Sequence, residues 1–153
     1  MPTPMTLRYI EQPQDQLASF RLMRQLRPHL TDPSAYARQL ARQAEHGYRL
    51  LGAVEAGQVL GLIGFREMEN LIYGRFIYVD DLIVDEPQRH HGLGATLLDA
   101  AREHARGRGC AHLVLDTGSH MSLAQRFYFR EGLLARGMHF VQLLDATPET
   151  PHA

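Results

Sequence analysis

Arg89-His90-His91-Gly92-Leu93-Gly94-Ala95 follows the apolar run Phe76 to Val84 and opens an apolar-periodic segment, Leu93 to Ala105. A strand, a glycine turn and a helix start in that order make an anion site. Gly92 and Gly94 carry no Cβ, so backbone can approach a phosphate, and the first free N–H groups of the helix point at it with the positive end of the macrodipole behind them. A phosphorylated ligand is therefore expected. A P-loop is excluded, because no Gly-Lys-Ser/Thr follows the glycines. A dinucleotide-binding turn finds a ribose-binding acid at Asp116, but its third glycine position is Leu97. Asp85 to His91 also separate the strand from Gly92, where that turn would follow its strand at once.

Two further groups could do chemistry. Asp80 and Asp81 interrupt the apolar run, and consecutive strand residues point to opposite faces unless a bulge intervenes, so at most one should look into a cleft. Tyr128 lies in the aromatic cluster Phe127-Tyr128-Phe129; a phenol with a reference pKa near 10 is protonated at neutral pH and can give up its proton. His90 and His91 point only weakly to metal, since adjacent side chains in a tight loop rarely converge on one ion, and no metal is expected. Cys110, the only cysteine, reads as a small core residue.

These groups need a scaffold, and 153 residues suffice for a single domain, 1–153, burying about two-thirds of its unfolded surface. Residues 1–5 and 147–153 contain proline and read as loose. Sixteen basic against seventeen acidic residues, with no run of like charges, leave no footprint for nucleic acid or an anionic membrane. No apolar stretch of about 18 residues and no charged-then-apolar leader at Met1-Pro2-Thr3-Pro4 is present, which predicts a cytoplasmic protein.

Thr6 to Glu11 reads as a strand and Gln16 to Leu30 as a helix; Asp32 caps a second helix through Glu45, with Pro33 in its first position. Tyr48 to Val54 and Val59 to Met68 read as a hairpin turned at Glu55-Ala56-Gly57-Gln58, and Phe76 to Val84 is the fourth strand. After the helix from Leu93, Cys110 to Asp116 is the fifth strand. Ser122 and Gln125 have capping-box spacing for a helix ending at Gly132, and Leu133 to Leu144 should close the fold with one or two strands. The expected order is β-α-α-β-β-β-α-β-α-β, an α/β fold on a mixed sheet.

Arg89, Gly92 and Gly94 match the Q/R-x-x-G-x-G/A motif of the GNAT superfamily of acyl-CoA-dependent N-acetyltransferases. Ala124-Gln125-Arg126-Phe127-Tyr128-Phe129-Arg130-Glu131-Gly132-Leu133 is similar to that family's A-x-x-F-Y-x-x-x-G-F/L segment. The resemblance covers roughly residues 76 to 133, and the order of elements agrees with it. It implies direct transfer from acetyl-CoA, as cosubstrate, to a primary amine of a small molecule or peptide. Leu82, Ile83 and Val84 would pair with the pantetheine arm beside a bulge, in a cleft where strands four and five splay apart. Arg89, His90, His91, Gly92, Leu93, Gly94 and Ala95 would hold the pyrophosphate.

By the same resemblance Tyr128 would be the general acid, and Asp80 or Asp81 would bind a cationic amine or relay its proton. Tyr78-Val79-Asp80-Asp81-Leu82 resembles a stretch in polyamine-acetylating relatives. Met121 stands where many relatives carry a cofactor-contacting asparagine, and homodimers are common in the family. The alternatives are a non-catalytic CoA-binding regulatory module, which would lose nothing if Tyr128 became Phe, and a dinucleotide-dependent oxidoreductase. His91 stands where a cation is usual, so it should add charge to the site only when protonated. Acetyl-CoA affinity should then weaken from pH 6 to pH 8 more in the parent than in His91→Ala; identical pH profiles would remove the idea.

Overall fold

The computed structural model describes residues 4–145. They divide between Leu115 and Asp116 into two compact units. The first contains β1 (Thr6–Tyr9), α1 (Pro13–Leu26), α2 (Pro33–Glu45), β2 (Arg49–Glu55), β3 (Gln58–Asn70), β4 (Gly74–Val84), α3 (Leu93–Gly107) and β5 (His112–Leu115). The second contains α4 (Ser122–Arg130).

The five strands lie in sequence order, β1-β2-β3-β4-β5. Neighbours are antiparallel except β4 and β5, which run parallel because α3 connects them. The β2–β3 hairpin closes over two residues, Ala56 and Gly57, both with positive φ (50° and 76°), as the strand twist favours. Helices cover both faces of the sheet. Leu62 belongs to the buried cluster with Phe20, Met23 and Tyr36 of α1 and α2. Its neighbour Gly61 faces the other way, towards Leu93 and Leu97 of α3, so closely that an added Cβ would stand 2.9 Å from Leu97.

α1 starts at Pro13, a residue preorganised for the first helical position, three residues before the expected start; α2 is capped by Asp32, whose carboxylate accepts from Ser34 N–H at 3.0 Å. Buried Asp15 accepts two hydrogen bonds from Arg8 (3.0 and 2.9 Å) and ties β1 to α1. The Ser19 and Tyr36 hydroxyls, 2.9 Å apart, tie α1 to α2. Cys110 is buried, and burial raises its thiol pKa, as suits a core residue. Among the described residues no helix is long and apolar enough to cross a membrane.

Two local expectations in the second unit need correction. Met121, not Ser122, precedes the first turn of α4, and no side chain caps that helix; Gln125 donates instead to the carbonyls of Gly118 (3.0 Å) and Ser119 (3.1 Å). Residues 133–144 form no strand. The segment is rich in apolar side chains, but Met138, Phe140, Val141 and Leu144 are more than two-thirds exposed and no ladder partner among the described residues engages them. A strand without a partner leaves its backbone groups to water and buries nothing.

Candidate active site

The geometry of the acidic pair follows from one irregularity in the β3–β4 ladder. Gly64 pairs with Asp81 and the next residue, Phe65, with Val79, so Asp80 is one residue too many on its strand. The bulge overturns the alternation expected for the pair: Asp80 and Asp81 both line one half-open cavity of about 300 Å³. Met23, Arg27, Tyr36, Gln39, Gln43, Tyr48 and Tyr78 also line it. The bulge lies two residues before Leu82, and Leu82, Ile83 and Val84 pair regularly with Ile63, Leu62 and Gly61.

The two acids have different surroundings. Asp81 accepts from the Tyr48 hydroxyl at 2.6 Å and from Arg27 Nε and Nη2 at 3.1 and 3.0 Å. Arg27 Nη2 also donates to the Asp80 carbonyl at 2.9 Å, which fastens the chain after α1 to both bulge residues. Tyr48 can reach Asp81 because Gly64 lies beneath its ring, where any Cβ would overlap the hydroxyl. Burial, and then the charge of Asp81, hold the Tyr48 phenol far above its ordinary pKa, so it stays a donor. Burial also pushes the neighbouring Tyr36 phenol up to about 12.

Asp80 is held less fully. Arg66 Nη2 lies 3.2 Å from its Oδ1, while Oδ2 and the Nε of the same guanidinium are both buried with no hydrogen-bond partner among the described residues. Burial raises the Asp80 pKa, and the Arg66 charge only partly opposes this. A carboxylate with one unpartnered oxygen and a raised pKa is equipped to receive a proton.

The glycine loop forms the second part of the site. β4 pairs with β5 only from Phe76 to Val79, so residues 80–84 have no strand partner among the described residues on that side. After β4 a short 3-10 turn, Glu86–Gln88, leads to Arg89, whose Nε donates to the Val84 carbonyl at 3.2 Å. His90 and Gly92 have positive φ, 68° and 81°. Gly92 precedes α3 with no side-chain cap and nothing within 4 Å of where its Cβ would stand. The N–H groups of Leu93, Gly94 and Ala95 therefore meet no capping oxygen from Gly92, and an anion can take that place. His90 and His91 are exposed, whereas the Leu93 side chain is buried and only its backbone could serve a ligand.

Tyr128 is in the second unit, on α4. It is half-buried, its ring 5.3 Å from that of Phe127, and burial raises its phenol pKa, so it is protonated at neutral pH. Among the described residues no three metal-ligating side chains gather. The residues that sequence reasoning missed are Arg27, Tyr48, Gly64 and Arg66. Gly64 alone carried a signal, since a glycine inside an apolar strand marks a bulge or a close approach.

The sequence model of the acetyltransferase (GNAT) family matches residues 14–132. A stretch of 43 residues is 42% identical to Glucosamine 6-phosphate N-acetyltransferase 1 of Oryza sativa subsp. japonica, spanning 28% of this chain and about a quarter (26%) of that protein. The fold is similar to that of glucosamine-6-phosphate N-acetyltransferase from Arabidopsis thaliana, with TM-score 0.75 and 17% identity over 93% of this chain and 99% of that one. It is also similar to the aminoglycoside N-acetyltransferase AAC(6')-Iy in complex with CoA, with TM-score 0.78 and 16% identity over 94% of this chain and 97% of that one.

Proposed function

The chain belongs to the acetyltransferase (GNAT) family of acyl-CoA-dependent N-acetyltransferases, and on that premise we propose that it passes the acetyl group of acetyl-CoA directly to a primary amine of a small molecule or peptide. The observation that carries this reading is the bulge, which brings Asp80 and Asp81 into one cavity on the strand that leads into the uncapped start of α3. The family match crosses the boundary at Leu115, which supports treating residues 14–132 as one catalytic domain. Homodimers are common in the family, which supports a homodimer as the working form.

Acetyl-CoA would bring an activated carbonyl, a leaving thiolate and a pyrophosphate. The N–H groups of Leu93, Gly94 and Ala95, with Arg89, hold the pyrophosphate, and the unpaired edge of Leu82 to Val84 offers its backbone to the pantetheine. The amine attacks the thioester carbon, a C–N bond forms and the C–S bond breaks. Asp80 takes the proton that the amine loses, and Tyr128 gives its phenolic proton to the departing sulfur.

The test is amine-dependent release of CoA. All sixteen basic side chains are arginines, so the protein contributes no lysine amine to the assay. Acetyl-CoA at a hundred times its Kd should stabilise the protein by about 2.7 kcal/mol, a rise of roughly 5–10 °C in Tm. Tyr128→Phe should keep that shift and lose about a hundredfold or more in kcat. Unchanged turnover would remove Tyr128 from the chemistry, and no shift with acetyl-CoA would overturn the reading itself.

A further inference from the structure

The cavity that holds the two acids also bears on the acceptor's charge, an inference that rests on the acetyltransferase reading above. Two carboxylates, one guanidinium and one imidazole line it. Arg27 gives two hydrogen bonds to one oxygen of Asp81 and a third to the Asp80 carbonyl. The other Asp81 oxygen takes the Tyr48 hydroxyl. Arg27 and Asp81 therefore neutralise each other. Arg66 pairs with Asp80 but does not line the cavity.

The groups left to meet a ligand are the partly exposed carboxylate of Asp80, whose enclosed Oδ2 has no hydrogen-bond partner among the described residues, and neutral donors and acceptors. Gln39 donates to Gln43 Oε1 at 3.0 Å, and both amides line the cavity as neutral groups. A phosphate or carboxylate entering here would leave water, approach the Asp80 carboxylate and find no unengaged guanidinium. An ammonium would pair with that carboxylate.

We propose that the acceptor is a small primary amine bearing hydroxyl or further amino groups and no phosphate or carboxylate, with its ammonium on the Asp80 carboxylate. The experiment measures CoA release at pH 8, where an ordinary imidazole is neutral, for glucosamine against glucosamine 6-phosphate and for lysinamide against lysine. The uncharged-tail member of each pair should have a kcat/KM at least tenfold higher. Asp81→Asn should release Arg27 from its partner and narrow the first ratio by tenfold or more.

Equal or reversed ratios in the parent protein would overturn the assignment, as would acetyl-CoA binding with turnover of none of the four amines. The thermal shift with acetyl-CoA, recorded on the same samples, separates the two failures. If the shift is present, only the acceptor class falls; if it is absent, the transferase reading falls with it.

Discussion

Gly64→Ala should lower stability by about 3 kcal/mol, the sum of an overpacked contact and a weakened hydrogen bond to a buried acid. For a chain of this length that is a fall of roughly 6–12 °C in Tm. The added methyl would occupy the position of the Tyr48 hydroxyl. The ring must then leave, and Asp81 keeps only Arg27. Backbone freedom does not enter, because Gly64 does not have positive φ. In a Tyr48→Ala background the same methyl meets no ring and should cost little, so a double-mutant cycle on thermal or denaturant unfolding isolates the contact. Equal losses in both backgrounds would show that the notch does not serve Tyr48.

Asp80→Asn should have the larger effect on catalysis, lowering kcat/KM by about a hundred- to ten-thousandfold while acetyl-CoA binding persists. Its stability should move with pH in a set direction. Burial raises the Asp80 pKa in the folded protein above its unfolded value. Protonation therefore favours the folded state: the contribution is fully present below the unfolded value and is lost as pH rises through the folded one. Asparagine does not titrate. The Tm of the variant relative to the parent should accordingly improve from pH 3 towards neutrality, and a constant difference would contradict the burial of this acid. In the parent, the acid limb of kcat/KM should lie above the ordinary aspartate value, since burial raises the Asp80 pKa and only the ionised form takes a proton.

The parts of this molecule legible in its sequence were those written in neighbouring residues. Glycines at 92 and 94 after an apolar run announced a tight turn into a helix, and its geometry is local: a positive φ at Gly92 and a helix start without a cap. Elements through α4 followed from apolar period and turn residues in the same way. The acidic pair was legible as residues but not as a site, because alternation assumes an unbroken ladder and Asp80 breaks it. Arg27 and Tyr48 reach Asp81 across 54 and 33 residues, a distance over which single-sequence periodicity carries nothing. Residues 133–144 show the converse. Apolar content there records a tendency to be buried, and a strand needs a partner as well as a composition.

Asp80 is, in the arithmetic of the sheet, a supernumerary residue. Gly64 faces Asp81 and Phe65 faces Val79, so the ladder on each side is complete without it. Deleting it would let the two halves close into an unbroken run with every other side chain still on its own face, whereas losing one residue from a ladder that has no extra residue turns the strand over from that point. The carboxylate proposed to take the amine's proton thus belongs to a residue that strand pairing does not require, and substitutions there can alter reactivity without renumbering the sheet.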